Sequence, residues 1–351
     1  MNKRLKAIDL FCGAGGVTAG FLRAGIKVSL GVDCDVGLKR TYEENNSVKY
    51  LCGDITEING RELVKEGELN PADKIILSSC APCQPFSLQN NKNNKGSDSR
   101  KDLGYETIRI IEELSKAGII PEAVFIENVP EFEKSQVWSE ISDKLYANRF
   151  TLVAKVVNFA NYGVPQNRKR FICMAKKGYK HFDFPKETHG NGRLPYKTVA
   201  ETFCGLSMIG PGEECENTPN HRTRALSPIN VRRISLVPKD GGSRTVLPDE
   251  LVLDCHKYYK GHQDVYGRMK SDKPSPTVTT RCISITNGRF GHPFENRGIS
   301  LREAARLQTF PDEFIFKGDN LEQNSKMIGN AVPVEIARIF GQHIKEHITS
   351  G

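Results

Sequence analysis

The sequence predicts an α/β protein in which a doubly wound, mostly parallel sheet is accompanied by a second, smaller domain. Strand-like and helical segments alternate along residues 1–178. From residue 179 to 282 the chain is instead rich in Pro, Gly, His and Arg, with little helical periodicity. A length of 351 residues is comfortable for two domains. We therefore expect one domain from residues 1–178 plus 316–351, and a second domain with its hinge from 179–315.

Apolar runs between turn residues define the predicted elements. They predict strands at 6–11, 28–32, 50–52, 74–78, 123–127, 151–159 and 170–175, and helices at 17–24, 36–44 and 105–116. Ser300 followed by Glu303 is a capping-box pattern that predicts a helix over 300–309, and 335–346 is a closing amphipathic helix. We expect short strands and loops in the second domain. Ligands of such sheets bind at the carboxyl ends of the strands, so residues that follow each strand are candidates for a site.

Composition excludes some classes of protein and permits others. Hydrophobic residues at 38% and charged residues at 26% are ordinary for a globular chain. No membrane-length apolar run and no secretory signal stand out, so we expect a cytoplasmic protein with its ten cysteines reduced. The net charge of +8 permits an anionic partner such as nucleic acid without establishing one.

Three features after the first three strands together favour a nucleoside site. The segment Asp9–Gly16 (DLFCGAGG) runs from a strand through glycines into a helix, and glycines let a backbone approach a ligand closely. Asp33 ends the second strand, where an acid can hold the two hydroxyls of a ribose. Asp54 follows the third strand and could accept a hydrogen bond from an adenine amino group. The alternative is a purely structural turn with two helix-capping acids.

The segment Cys80–Ser87 (CAPCQPFS) follows the fourth strand and offers three interpretations. A Cys-x-x-Cys could be a thioredoxin-like redox pair. It could also be half of a zinc site, but no second such motif completes one, so no metal is expected. The third interpretation is a nucleophilic Cys83 thiolate held by a proline-flanked loop.

Two further motifs carry charge. Glu127, in Glu127–Val129 (ENV), ends the fifth strand and could exchange a proton at the cleft, or be an ordinary surface acid. Arg168 and Arg170 alternate at period two, so both are expected on one face. Paired guanidiniums suit a phosphate or a base carbonyl oxygen, and a solvated basic loop is the alternative.

In this order, the motifs resemble those of the cytosine-5 DNA methyltransferase family, bacterial or phage type. The resemblance covers nearly the whole chain, and seven motifs in the family's order make chance negligible. Two departures are Asp33, where the family usually has Glu, and Cys80-Ala81 before the Pro-Cys-Gln. The matching segments are DLFCGAGG (9–16), the acid at Asp33, GDI (53–55), PCQPFS (82–87), ENV (127–129), the Gln166-x-Arg168-x-Arg170 motif and IGNAVP (328–333).

The resemblance implies a DNA (cytosine-5-)-methyltransferase with an S-adenosylmethionine-dependent, Rossmann-like fold. Cys83 would attack carbon 6 of the cytosine, and Glu127 would protonate or hydrogen-bond ring nitrogen 3. Arg168 would hold the carbonyl oxygen of the base, and Arg170 would belong to the same arrangement. The cytosine would be flipped out of the duplex. The polar loop from Ser87 to Arg100 would close over it.

The resemblance also implies the cofactor site, the partner and the biological role. The chain's end would return to the first domain, and residues between Arg170 and Arg281 would recognise the target sequence. Double-stranded DNA is the expected partner of a monomer, in a restriction-modification system. The cofactor-binding residues would be Phe11, Gly13, Gly15, Asp33, Asp54, Pro82 and Asn330. Candidate DNA contacts are Arg222, Arg224, Arg232, Arg233, Arg244 and the segment 255–268.

Three other functions stay open on the sequence. A tRNA cytosine-5 methyltransferase of the same fold usually carries a Cys-Phe-Thr signature, whereas the nearest segment here is Phe203-Cys204-Gly205. A catalytically silent DNA-binding module would not need Cys83, Glu127 and Arg168. A thioredoxin-like oxidoreductase would need Cys80 and Cys83 to cycle as a disulfide.

Overall fold

The computed structural model describes residues 4–82, 103–178, 182–257 and 264–349. The chain forms two compact units. The first comprises Met1–Tyr162, Lys169–Glu187 and Val332–Gly351, and the second comprises Gly163–Arg168 and Thr188–Ala331. The predicted second domain, 179–315, thus differs from the observed unit at both ends.

A seven-stranded sheet forms the first unit, as predicted. In chain order the strands are β1 (Leu5–Leu10), β2 (Lys27–Asp33), β3 (Tyr50–Cys52), β4 (Lys74–Ser79), β5 (Pro121–Asn128), β6 (Phe150–Asn158) and β7 (Lys169–Lys177). Their spatial order is β3-β2-β1-β4-β5-β7-β6. Strands β1 to β5 pair in parallel, and only β7 runs antiparallel to its neighbours β5 and β6. The carboxyl ends of β1 to β5 therefore share one edge.

The helices fall into both units. In chain order they are α1 (Gly16–Arg23), α2 (Lys39–Asn46), α3 (Gly60–Glu66), α4 (Leu103–Lys116), α5 (Gln136–Ala147), α6 (Val199–Phe203), α7 (Pro228–Leu236), α8 (Asp254–Lys257), α9 (Leu301–Leu307), α10 (Leu321–Asn330) and α11 (Val334–Thr349). Helices α3 and α5 lie in segments for which the sequence predicts no element.

Helix α11 returns to the first unit and packs closely on α1. A Cβ added at Gly20 would lie 2.4 Å from the Cβ of Ala337, so only glycine permits this approach. Phe125 on β5 lies between Phe21 and Phe340, at ring-centroid distances of 6.0 and 6.2 Å. All three rings are fully buried. Helix α11 is therefore part of the core of the first unit.

The second unit does not contain the predicted short strands, and that expectation is wrong for the residues the structure describes. Isolated bridges such as Glu214↔Arg222 and Arg268↔Gly291 replace ladders, beside the short helices α6 to α10. Proline lacks the amide hydrogen that a ladder needs. Buried side chains instead satisfy backbone carbonyls, above all that of Arg268, which donates to the carbonyls of four residues.

Helices α9 and α10 belong to the second unit because their residues pack there. Gln166 bridges the Val278 amide at 2.9 Å and the Gln308 side chain at 2.8 Å. A Cβ at Gly329 would lie 2.3 Å from the Thr279 backbone, so α10 lies directly against that segment. The predicted boundary at residue 316 therefore falls inside a packed region.

Candidate active site

The glycine-rich turn between β1 and α1 uses left-handed backbone at several positions. Phe11, Gly13 and Gly15 have φ of 57°, 55° and 95°. A Cβ at Gly15 would lie 2.3 Å from Asn46 Nδ2, so this position must be glycine for packing. A Cβ at Gly13 would meet no atom within 4 Å. Of the two glycines, Gly13 thus borders open space, where a ligand can approach the backbone.

Asp33 and Asp54 lie at neighbouring strand ends, as the sequence predicts. Asp33 Oδ2 accepts from the Gly13 amide at 3.0 Å, and burial raises the pKa of this carboxyl. The Gly53 amide donates to the Asp33 carbonyl at 3.1 Å, which brings Asp54 beside it. Asp54 accepts from the amide and hydroxyl of Thr56, and these bonds lower the pKa of its carboxyl. Asp54 is therefore an exposed anion at neutral pH.

Asp9 is a buried acid in this region, which the sequence motif alone does not predict. It is fully buried on β1, and Thr18 Oγ1 donates to its Oδ2 at 2.8 Å. Thr18 also lies 2.8 Å from the hydroxyl of buried Tyr42. Burial raises the pKa of Asp9 to about 7. The available signal was an acid inside an otherwise apolar strand, which demands a buried polar partner.

Glu127 lies at the end of β5 and pairs with Arg170 on β7. Arg170 Nε is 3.1 Å from Glu127 Oε1, and the two side chains are only 16% and 11% exposed. Glu127 lies opposite Ile172 in the β5–β7 ladder, so the sheet register fixes this pair. The contact is a largely desolvated ion pair, and Glu127 Oε1 has no hydrogen-bond partner among the described residues.

Asn128 links the end of β5 to the segment that follows β4. Its Nδ2 donates to the Ala81 carbonyl at 3.4 Å. Pro82 is exposed and is the last described residue of this segment. Cys83, the predicted nucleophile, and the predicted closing loop Ser87–Arg100 lie outside the described residues, so both stay predictions.

Cys80 has the properties of a protonated thiol. Burial, reinforced by the charges of Glu127 and Asp9, holds its pKa well above the usual range. A thiol that stays protonated is a poor nucleophile and a poor partner for disulfide exchange. This agrees with a packing residue better than with half of a redox pair.

Arg168 and Arg170 do not share a surface in the way that period two predicts. Arg168 is 4% exposed, and its guanidinium donates to the carbonyls of Val278 at 2.9 Å and Gly329 at 3.3 Å. Strand β7 begins only at Lys169, so strand alternation does not extend back to Arg168. The structure assigns Arg168 to the second unit and brings only Arg170 to Glu127.

Asn330, a predicted cofactor residue, is exposed at the end of α10 in the second unit. Its neighbour Gly329 accepts the hydrogen bond from Arg168. The contact of Asn330 with a cofactor stays a prediction.

The arginines considered for DNA binding divide into two sets by exposure. Arg233, Arg244 and Arg268 are 7%, 7% and 0% exposed, and Arg268 is encased by backbone carbonyls. The other three have exposed side chains that pair with carboxylates across 3.1 to 3.9 Å: Arg222 with Glu214, Arg224 with Glu322 and Arg232 with Glu250. Only this second set can reach a phosphate or base without unfolding its surroundings.

The described ranges, residues 4–82, 103–178, 182–257 and 264–349, also bear on metal binding and membrane insertion. They contain no group of three or more His, Cys, Asp or Glu that could hold a metal ion. Among the helices of those ranges, none is long and apolar enough to cross a membrane.

Comparison with known proteins identifies the family. The family model for C-5 cytosine-specific DNA methylase matches residues 5–346. The Type II methylase M.HgiDII of Herpetosiphon aurantiacus is 38% identical over 352 residues, covering 97% of this chain and 95% of that protein. The Type II methyltransferase M1.HphI of Haemophilus parahaemolyticus is 30% identical, covering 97% of this chain and 86% of that protein.

A solved structure supports the fold. A protein described as a prophage-encoded DNA modification methyltransferase of E. coli superposes with a TM-score of 0.75 at 22% identity, covering 98% of this chain and 99% of the other. The fold and family therefore define a methyltransferase. This chain belongs to the C-5 cytosine-specific DNA methylase family. The predicted family, the α/β methyltransferase fold and the DNA (cytosine-5-)-methyltransferase activity are confirmed, and the three other functions are not favoured. That the second unit recognises the target sequence stays a prediction.

Proposed function

We propose that this protein transfers a methyl group from S-adenosylmethionine to carbon 5 of a flipped-out cytosine within a specific duplex DNA sequence. Its role would be that of the modification enzyme of a restriction-modification system, which its Type II relatives support. The observation that carries the proposal is the Glu127–Arg170 pair at the end of β5. Asn128, the next residue, bonds to the Ala81 carbonyl and so links that strand end to the segment that precedes Cys83.

Cys83 is the proposed nucleophile. Carbon 5 of cytosine is a poor nucleophile until a thiolate adds to carbon 6 and makes the ring enamine-like. The sulfur–carbon 6 bond forms as the ring's double-bond electrons shift, so negative charge develops toward nitrogen 3. Glu127 would protonate or hydrogen-bond that nitrogen. Carbon 6 is out of reach in a stacked duplex, so the base must leave the helix.

Arg170, rather than Arg168, is the proposed partner of the base. Its guanidinium already lies 3.1 Å from Glu127 and has further N–H groups that could reach the carbonyl oxygen next to nitrogen 3. Arg168 would act indirectly, because its hydrogen bonds to Val278 and Gly329 hold backbone segments of the second unit.

The residues at the ends of β1, β2 and β3 fit an adenosyl group. The open space at Gly13 admits a ligand to the backbone, and Asp33 and Asp54 supply acceptors for ribose hydroxyls and an adenine amino group. Bound S-adenosylmethionine supplies an electrophilic methyl group on its sulfonium. The full set proposed for the cofactor is Phe11, Gly13, Gly15, Asp33, Asp54, Pro82 and Asn330.

The second unit is the proposed target recognition domain. Its exposed Arg222, Arg224 and Arg232 are suited to phosphates or base edges once DNA displaces their carboxylate partners. We propose that the protein acts as a monomer, on double-stranded DNA in the cytoplasm.

A trapping assay tests the proposal. The protein and S-adenosylmethionine are mixed with duplex DNA that contains 5-fluorocytosine in varied contexts. Fluorine cannot leave carbon 5 as a proton does, so a denaturation-resistant adduct is expected, and it should vanish in Cys83→Ala. An adduct with tRNA but with no DNA would contradict the DNA substrate, and no adduct with either would contradict the activity.

A further inference from the structure

Two exposed cysteines lie together at the ends of β2 and β3. Cys34 directly follows Asp33, the last residue of β2, and Cys52 is the last residue of β3. Asp33 pairs with Cys52 in the parallel register. The Cys52 sulfur lies 3.7 Å from the Cys34 carbonyl oxygen. Both residues are free thiols exposed to solvent.

The two cysteines are close in sequence to the acids proposed to hold the nucleoside. Asp33 precedes Cys34, and the Gly53 amide, next to Cys52, bonds to the Asp33 carbonyl at 3.1 Å. Asp54 is the next residue along. A ligand that contacts both carboxylates would therefore lie at the strand ends that carry the two cysteines.

The backbone beneath the thiols is held in place. Tyr50 on β3 donates from its hydroxyl to the Asp35 carbonyl at 2.7 Å, which ties the turn after β2 to β3. The Tyr50 ring is 3% exposed and packs against Tyr42 at a centroid distance of 5.4 Å. The backbone that carries the two thiols is therefore fixed. A ligand that lies over these strand ends would reduce the exposure of the thiols.

We infer that Cys34 and Cys52 form a modification site for soft electrophiles of the maleimide class, and that the adenosyl part of a bound ligand covers this site. The inference rests on the proposed function, because it takes the ligand to be held by Asp33 and Asp54. Modification and ligand binding would then exclude one another.

The covalent step is a simple addition. The thiolate sulfur forms a bond to one alkene carbon of the maleimide, and the neighbouring carbon takes a proton from water, so neither an oxidant nor a leaving group is needed. Partial burial, with the charge of Asp33, raises the pKa of Cys34. Its reaction should therefore be slower than that of an ordinary exposed thiol at neutral pH and should accelerate as pH rises.

The test is peptide-resolved mass spectrometry of the full-length protein during treatment with N-ethylmaleimide. It is run with and without S-adenosylhomocysteine, whose binding is measured separately by calorimetry. At ten times the dissociation constant, the labelling rates of Cys34 and Cys52 should fall about tenfold, because only the unbound fraction reacts. Cys204, an exposed thiol of the second unit, is the internal control and should change less than about twofold.

A second measurement separates these thiols from every other cysteine. Wild type and Cys34→Ser/Cys52→Ser receive the same treatment, and their affinity for S-adenosylhomocysteine is then compared. The double variant should keep its affinity, whereas treated wild type should lose at least about tenfold. Equal losses in both proteins would overturn the inference.

The remaining outcomes distinguish the inference from the proposed function. Calorimetric binding with unchanged labelling of Cys34 and Cys52 would overturn the inference and leave the proposed function intact. Equal protection of Cys204 would also overturn it, because the effect would be global. If S-adenosylhomocysteine does not bind at all, the proposed function fails together with the inference.

Discussion

The two units use buried polar groups in opposite ways. In the first unit a hydrogen-bonded ladder satisfies the backbone, so polar side chains at strand ends such as Asp33 and Glu127 are available for chemistry. In the second unit side chains replace the ladder, and Arg268 is committed to backbone carbonyls. A conspicuous charged residue is therefore a candidate for chemistry in the first unit, but in the second it must first be shown to be exposed.

The largest effect is expected at the Glu127–Arg170 pair. Glu127→Gln keeps the shape but cannot protonate nitrogen 3, so kcat/KM should fall about 10²–10⁴-fold. Steady-state methylation of cognate DNA measures this. Glu122→Gln, at the opposite end of β5, is the matched control and should retain wild-type activity. A Glu127→Gln protein within threefold of wild type would refute the role of Glu127.

The second prediction addresses the structural arginines. Arg268→Met leaves the carbonyls of Ile234, Val237 and His292 without their donor in a fully buried place. The free energy of unfolding should fall by at least about 3 kcal/mol. Urea denaturation measures the loss, and hydrogen exchange should rise near those carbonyls. Arg281→Met, at an exposed position, should cost less than about 0.5 kcal/mol.

The third prediction uses pH to separate the buried acid from the exposed one. The Asp9 carboxyl has a pKa of about 7 in the folded protein and an ordinary value of 3.8. Its contribution to stability is therefore complete below about pH 4 and is lost as pH rises through about 7. Asparagine stays neutral, so the free energy of unfolding of Asp9→Asn relative to wild type should rise by about 2–4 kcal/mol over this range.

Asp54 provides the contrast in sign. The pKa of its carboxyl is lowered, so its contribution is present at neutral pH and is lost as pH falls below the ordinary value. The free energy of unfolding of Asp54→Asn should therefore lie below that of wild type, and the difference should be larger at neutral pH than at acidic pH. Parallel urea titrations from about pH 2 to 8 measure both variants. A pH-independent difference for Asp9→Asn would contradict a raised pKa at Asp9.

Much of the first unit could be predicted because its pattern is local. Predicted strands at 6–11 and 74–78 match β1 and β4 to within one residue at each end. The sequence prediction did not include helices α3 and α5, although Asn59 and Ser135 cap them. A capping residue alone does not predict a helix without an apolar periodicity after it. Of the site, the positions at strand ends were predictable, since a strand's end is a local signal.

Contacts between distant segments were not predictable. The Ser300–Glu303 capping box was read correctly from the sequence. Nothing local indicates that Glu303 also forms a buried pair with Arg297 at 2.7 Å, because that contact depends on tertiary packing. For the same reason the sequence could not separate Arg168 from Arg170: the choice depends on where β7 begins and which neighbours each guanidinium meets.

A smaller effect is expected at the two glycines of the β1–α1 turn. Both have left-handed backbone, so an alanine at either costs about 1–2 kcal/mol of stability. Gly15→Ala adds a clash with Asn46, whereas Gly13→Ala meets no protein atom. Gly15→Ala should therefore lower the melting temperature more, and Gly13→Ala should weaken S-adenosylhomocysteine binding more. Calorimetry and thermal denaturation of both variants decide this, and unchanged affinity in Gly13→Ala would contradict a ligand at that space.

The smallest effect distinguishes two consecutive arginines of α7. Arg232 is exposed and only 3.9 Å from Glu250, while Arg233 is buried and donates to the Leu251 carbonyl at 2.8 Å. If Arg232 contacts phosphate, Arg232→Gln should weaken binding to cognate and unrelated duplexes alike. It should also reduce the slope of log affinity against log salt by about 1. Arg233→Gln should instead lower stability and leave that slope unchanged, because a buried guanidinium releases no counterion from DNA. A loss confined to cognate DNA in Arg232→Gln would make Arg232 a base-reading residue, and an unchanged slope in both variants would remove α7 from the DNA interface.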